Sequence, residues 1–223
     1  MSKYDGLIFV NKPRGVTSHD VVDVVRKRLN IRKVGHSGTL DPLAEGLLIM
    51  LVGTYTKKFS KFANFDKEYM GILKLGEVTS TGDSQGEVLK KSEYIHIEIK
   101  TIEEAFTRFL GDIKQIPPMV SALRVKGKRL YELARRGITV EREPRDIKIY
   151  SLKIEKYDLP FIEFCVHCSK GTYVRKLAED IGETLGCGAH MVKILRQSIG
   201  PYKLKDAVEL KDINEGCLRK ITL

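Results

Sequence analysis

Apolar and polar positions along this chain follow two periods, and the period changes at glycines and prolines. Leu7-Ile8-Phe9-Val10 and Leu47-Leu48-Ile49-Met50-Leu51-Val52 are continuous apolar runs of the length expected for buried strands. Residues 66–76 also read as a strand, with Tyr69 inside it. Residues 147–157 and 161–168 alternate, and Asp158-Leu159-Pro160 between them predicts a hairpin. Elsewhere the period lengthens to that of a helix. Val21, Val22, Val25 and Leu29 recur on one face, with Thr17 or Ser18 as the cap and Asp20 near the positive end. Thr101-Ile102-Glu103-Glu104 has the form of a capping box. Ala105, Phe106, Phe109 and Leu110 then give an apolar side, and Gly111 a stop. A third stripe runs through Val174, Leu177, Ala178, Ile181 and Leu185, with Gly186 as its stop. Weaker helical signals cover residues 55–62, which expose Lys57, Lys58 and Lys61, and residues 129–136, ended by Gly137. The separate strand and helix signals together predict α+β content.

Composition narrows the class. The chain has 223 residues, enough for one large domain or two small ones, and 42% hydrophobic content suits a packed core. No apolar run reaches the length of a membrane span, and the N-terminus lacks a signal-peptide layout, so a cytoplasmic protein is expected. A net charge of +10 favours a polyanionic partner such as nucleic acid, although a generically basic soluble protein has the same balance. Tryptophan is absent, so base stacking has to use Tyr, Phe, His or Arg. Cys165-Val166-His167-Cys168 has the spacing of a zinc half-site. It falls in an alternating run, where residues three apart point to opposite faces, and no second such pair follows. The expectation is therefore reduced thiols and no metal.

The densest chemistry lies in Gly35-His36-Ser37-Gly38-Thr39-Leu40-Asp41-Pro42, followed by Leu43-Ala44-Glu45-Gly46. Two glycines and a proline make it a loop, and the residue before a proline is pushed toward extended geometry. Asp41 is thus expected on a stiff loop leading into a buried strand, a platform for covalent or acid/base chemistry. A capped turn entering a strand is the plainer reading of the same residues. Residues 116–145 form a second distinctive segment. They carry Arg124, Lys126, Lys128, Arg129, Arg135, Arg136, Arg142 and Arg145 between prolines and glycines. Such a segment suits an arm closing on a phosphate backbone, or simply a solvated basic face. Finally, Arg175 sits in the first turn of a predicted helix, where a cation opposes the helix dipole. That small cost points to an anionic partner, with an ordinary surface arginine as the alternative.

The run from Gly35 to Leu48 closely resembles the catalytic motif of the TruB family of tRNA pseudouridine synthases. Further resemblances follow in order: Lys12-Pro13-x-Gly15; the Lys-x-Tyr strand ending at Tyr69; Thr79–Gly86 with Asp83; residues 115–124; Ser169-Lys170-Gly171-Thr172-Tyr173-x-Arg175; and residues 188–197. Together they reach from Gly6 to about Leu210. The resemblance implies a pseudouridine synthase fold, with a mixed, mainly antiparallel sheet, helices and long RNA-binding loops, in a single catalytic domain over residues 1–223. It implies a clamping thumb at about residues 116–145. Val120 departs from the Tyr found in many members, and no C-terminal PUA domain is expected.

The implied reaction converts the T-loop uridine, position 55 of tRNA, to pseudouridine without cofactor or metal. The implied catalytic residues are Asp41, Tyr69 and Arg175, with the arginine paired to the aspartate and holding it ionised. His36, Leu195, Lys12 and Asp83 are the implied substrate-side residues. His36 fills the space the base leaves or acts as a general base; Lys12 supports the site or is a solvated lysine; Asp83 holds RNA or a basic group, or makes an Asx turn. Arg124, Lys126, Lys128, Arg129, Arg135 and Arg136 are the implied RNA contacts. The expected partner is the T-stem and T-loop of tRNA, with no membrane and no obligatory protein partner, the protein acting as a monomer. A non-catalytic tRNA-binding chaperone and a guide-dependent, dyskerin-like synthase are the alternatives.

Overall fold

The computed structural model describes residues 4–125 and 127–220. Lys126, expected above to contact RNA, lies outside the described residues. In chain order the first elements are β1 (Gly6–Lys12), α1 (Ser18–Leu29), β2 (Val34–His36), β3 (Glu45–Val52), α2 (Phe59–Ala63), β4 (Lys67–Leu75), β5 (Glu77–Thr79), β6 (Val88–Lys91), α3 (Ile99–Thr107) and β7 (Gly111–Gln115). Then follow β8 (Arg124–Val125), β9 (Lys128–Arg129), α4 (Leu130–Ala134), β10 (Arg145–Asp158), β11 (Phe161–Cys168), α5 (Val174–Thr184), β12 (Ala189–Ile199), β13 (Tyr202–Lys203) and β14 (Val208–Glu209). Among the described residues no helix is long and apolar enough to cross a membrane. The chain divides into two compact units, residues 1–69 with 195–223, and residues 70–194.

In the first unit β3 is the central strand, because its apolar run is buried on both faces. β1 pairs with it antiparallel, from Gly6 opposite Val52 to Lys12 opposite Gly46. Its other edge is shared. β2 covers the far half antiparallel, with His36 opposite Met50. The near half meets the end of β12 in parallel, with Leu195 opposite Glu45 and Arg196 opposite Gly46. β14 adds to β1 in parallel. Leu7, Phe9, Leu47, Ile49, Leu51, Tyr55, Phe62 and Ile199 form the core on one side. Helix α1 is capped by Thr17, one of the two expected candidates, and the cap is a full capping box. Thr17 Oγ1 accepts from Asp20 N at 3.1 Å, and Asp20 Oδ2 accepts from Thr17 N at 2.7 Å. Val21, Val22, Val25 and Leu29 are its buried face, as the periodicity predicts.

In the second unit β7, β10, β11 and β4 lie side by side in that order, and β12 follows β4. β10 and β11 form the predicted antiparallel hairpin. Phe164 on β11 packs its ring edge-on against Phe106 of α3, centroids 5.8 Å apart. The buried stripe of α5 includes Leu177, Ala178 and Ile181. Along β11, Cys168 is buried and Cys165 half-buried, and among the described residues none of the four cysteines is joined in a disulfide. α3 corrects the sequence reading. It starts at Ile99 with Glu98 as its cap residue, so Thr101 lies inside the helix and does not cap it. Ile97 and Ile102 are both buried, at the spacing of a hydrophobic staple, and that burial sets the cap three residues upstream of Thr101. The helix also stops at Thr107, leaving Leu110 exposed beyond it. The basic arm is folded: β8 and β9 pair, and Leu130 and Leu133 of α4 are buried.

Candidate active site

The loop of residues 35–42 is held at almost every residue by groups distant in sequence. Ser37 N donates to Ile49 O at 2.9 Å, fixing the loop to β3. Ser18, buried at the start of α1, donates its hydroxyl to Leu40 O at 3.0 Å and accepts from Leu40 N at 2.8 Å. Gly15 N donates to Pro42 O at 2.8 Å, and Ala44 N to Asp41 O at 3.0 Å. Asp41 itself is half-buried in irregular backbone, as the proline after it predicts. A carboxylate presented this way loses little conformational freedom when it engages a substrate.

A residue that the sequence reading left without a role completes the support. Arg196 of β12 is 1% exposed. Its Nε donates to Leu47 O at 2.7 Å and its Nη2 to Gly38 O at 3.1 Å, with Nη1 3.5 Å from Thr39 O. One guanidinium thus ties β3 to the two residues at the apex of the loop, the planar geometry for which arginine is suited. Gly46 makes the close approach possible. Its φ is +103°, and a Cβ there would stand 2.4 Å from Arg196 O. The only sequence signal was the position of Arg196 in the run 188–197; its burial depends on β12 pairing with β3.

Lys12 is also fully buried, which rules out the solvated-lysine reading. Its Nζ donates to Val16 O at 2.7 Å and Pro13 O at 3.0 Å, closing the turn after β1. Burial pushes its pKa down to about 8; the carboxylates of Asp41 and Glu45 act in the opposite direction, and Arg196 reinforces the fall. Lys12 is therefore a cation held near the carboxylate of the loop. His36 is lowered to about 4, first by burial and then by the positive charges of Arg196 and His19. Its Nδ1 accepts from Gly38 N at 3.3 Å, so the neutral ring is part of the loop's own bonding. Ser37 Oγ is buried and has no partner among the described residues. Tyr69 is 9% exposed on β4 of the same unit, and Leu195 is half-buried beside Glu45.

Within the second unit Arg175 is 2% exposed at the start of α5. Its Nη1 donates to Thr81 O at 2.7 Å and lies 3.7 Å from Asp83 Oδ2. Its Nη2 donates to Val120 O at 2.7 Å. An anionic neighbour thus offsets the dipole cost noted in the sequence, and Arg175 is not an ordinary surface arginine. Asp83 makes an Asx turn as well. Its Oδ1 accepts from Thr81 Oγ1 at 2.7 Å and from Gln85 N at 3.0 Å. Because the contact at residue 120 uses a carbonyl, the Val found there leaves it intact. In the arm, Arg124, Lys128, Arg129, Arg135 and Arg136 are all exposed. Arg129 and Arg135 lie within 5.8 and 5.5 Å of the Tyr131 ring centroid, a cationic and aromatic surface of the kind RNA uses.

Two family models divide the sequence: the N-terminal domain of the TruB family of pseudouridylate synthases matches residues 26–174, and the C-terminal domain of tRNA pseudouridylate synthase B matches residues 175–221. The chain is 48% identical to the tRNA pseudouridine synthase B of Geotalea uraniireducens over 93% of its length and 67% of that protein. It is 47% identical to that of Clostridium tetani over 98% of its length and 76% of that protein. Among solved structures it resembles the crystal structure of a Cbf5–Nop10–Gar1 complex, with a TM-score of 0.73 and 30% identity. That match covers 93% of this chain and 53% of the other. With a family model spanning its loop of residues 35–42, its strand β4 and its basic arm, the chain belongs to the TruB family of pseudouridylate synthases.

Proposed function

We propose that this protein converts the T-loop uridine of tRNA, position 55, to pseudouridine, with Asp41 as the catalytic carboxylate. The observation that carries the reading is the family match joined to the rigid presentation of Asp41, braced by Arg196 and Ser18. The reaction is an isomerisation. The N1–C1′ bond of uridine breaks, the uracil turns, C5 bonds to C1′, the C5 proton leaves and N1 gains a proton. No electrons are exchanged with another molecule. The carboxylate of Asp41 supplies the nucleophile or base toward the nucleoside. Tyr69 lies against the base and takes the C5 proton. Arg175 keeps a negative charge in its ionised form, and Leu195 offers an apolar wall to the uracil. His36, neutral at physiological pH, fills the place of the everted base rather than titrating during turnover.

The base reacts only outside its stack, and eversion costs a few kcal/mol. The exposed cations of the arm, at residues 124–136, offset part of this through phosphate contacts. On this reading the protein acts in the cytoplasm as a monomer on bare tRNA, needing no guide RNA or partner protein. The test is an unmodified tRNA transcript incubated with the protein alone and analysed for pseudouridine. Wild type modifies one uridine; Asp41→Asn binds the transcript within about threefold of wild type but forms no pseudouridine. Turnover by Asp41→Asn removes Asp41 from this role, and absence of wild-type turnover without a guide favours the dyskerin-like alternative.

A further inference from the structure

Gln115 ends β7 and is only 2% exposed, although its side chain is polar. Its backbone lies in register with Arg145 of β10, so the basic arm leaves the sheet after Gln115 and rejoins it at Arg145. The side-chain amide is engaged by a residue 58 positions away. Nε2 donates to Tyr173 O at 3.1 Å, and Oε1 accepts from Tyr173 N at 2.8 Å. One glutamine thus holds both polar groups of one residue's backbone. Tyr173 is the cap residue of α5, and its own side chain makes no capping bond. The chain reaches it through Gly171 at φ +82°, a position with no neighbouring atom within 4 Å of where a Cβ would stand. The start of α5 therefore takes its place from a residue on another element.

Arg175 follows in the first turn of that helix. Its guanidinium bonds to Thr81 O and Val120 O, both at 2.7 Å, and stands 3.7 Å from Asp83 Oδ2. Such bonds hold over only about half an ångström of length, so a small shift of the helix start breaks them. The stretch from Gln115 to Val120 is fastened to the first turn of α5 at both ends, by the Gln115 amide on Tyr173 and by Arg175 on Val120 O. We propose that Gln115 is a positioning residue for the reaction. It does not touch the substrate; it fixes the first turn of α5, and through it the Arg175 guanidinium. The proposal rests on the reading of Arg175 as one of the catalytic residues. Tyr173 O also accepts from Leu177 N at 3.0 Å, so the helix keeps its own first bond when the glutamine is removed. What is lost is its place.

The experiment measures affinity and single-turnover pseudouridine formation separately, on an unmodified T-arm stem-loop. Gln115→Met keeps the side-chain length and removes both bonds to Tyr173. Its single-turnover rate falls at least about tenfold while its affinity stays within about threefold of wild type, because the group displaced acts in the chemical step. Gln115→Glu keeps the size and an acceptor for Tyr173 N but loses the donor to Tyr173 O. Its rate falls severalfold with affinity unchanged, and it takes the place of Gln115→Met if that variant does not fold. A double-mutant cycle with Arg175→Lys separates positioning from general stability. The lysine cannot make the paired contacts, so adding Gln115→Met to it slows the reaction by less than about twofold. Equal fold losses in the two backgrounds overturn the positioning role. So does a wild-type rate in a folded Gln115 variant, or a loss that falls on affinity alone. In each of those cases wild-type turnover leaves the proposed function standing; absence of wild-type turnover overturns both.

Discussion

Replacing Arg196 with Met removes a charge and five donors while keeping most of the side-chain volume. Two well-formed bonds are lost, to Leu47 O at 2.7 Å and Gly38 O at 3.1 Å, along with the longer approach to Thr39 O. Bonds from a charged donor contribute about 1.5–3 kcal/mol each, which gives about 3–6 kcal/mol for the pair. Part of this is returned, because a buried guanidinium no longer has to be desolvated. A net destabilisation of about 3 kcal/mol follows, a large share of the roughly 5–15 kcal/mol of a typical domain. With a urea slope of about 2–3 kcal/mol/M, the unfolding midpoint falls by roughly 1 M. A charge effect accompanies the mechanical one. Arg196 helps depress His36 and Lys12, so its removal moves both pKa values up from about 4 and about 8. The assays are urea unfolding followed by fluorescence or circular dichroism, and NMR titration of the His36 ring. Single-turnover pseudouridine formation under conditions that keep the variant folded gives the functional arm, where the loosened Asp41 loop lowers the rate at least tenfold. An unchanged midpoint together with an unchanged His36 titration refutes the reasoning that Arg196 braces this loop.

Three further outcomes follow from the same geometry. His36 titrates near 4 folded and about 6.5 unfolded, so as pH falls the unfolded chain takes up the proton first; stability is lost between about pH 6.5 and 4, by up to about 3 kcal/mol. Comparing urea midpoints at pH 7 and 4.5 for wild type and His36→Gln checks this, the variant losing less; equal losses count against a buried neutral ring. Gly46→Ala forces a Cβ to 2.4 Å from Arg196 O at a φ of +103°, so thermal unfolding shows a loss of about 3 kcal/mol or more. Lys12→Met leaves Val16 O and Pro13 O without their donor, which costs about 2 kcal/mol in stability by urea unfolding, while a midpoint equal to wild type means that the turn holds itself.

Much of this protein is written in local pattern. The apolar run at β3, the Thr17–Asp20 capping box of α1, the β10–β11 hairpin and the stripe of α5 each follow from residues within a dozen positions of one another. The loop with Asp41 is legible for the same reason, since Gly and Pro act on their own backbone. The start of α3 departs from its local pattern because two signals compete there. The capping-box letters at Thr101 lost to the burial of Ile97 and Ile102, which depends on what the helix packs against. Lys12 and Arg196 were harder. Both are charged residues in ordinary-looking contexts, and charged residues are rarely fully buried unless partnered. Their partners are carbonyl groups, which carry no mark in an amino-acid sequence.

The sequence by itself determined β1, β3, β4, the β10–β11 hairpin and the buried stripes of α1 and α5, and that a carboxylate sits on a stiff turn beside a buried strand, because those outcomes depend on short-range sterics and hydrophobic period. Only the tertiary structure decided what holds that turn. Arg196 reaches Gly38 because the end of β12 lies parallel to β3, bringing together residues 158 positions apart. Arg175 is likewise gripped by Thr81 and Val120, residues far from it in the chain. Such contacts arise from strand pairing and helix packing across long stretches of chain, where backbone carbonyls, not side-chain letters, supply the partners.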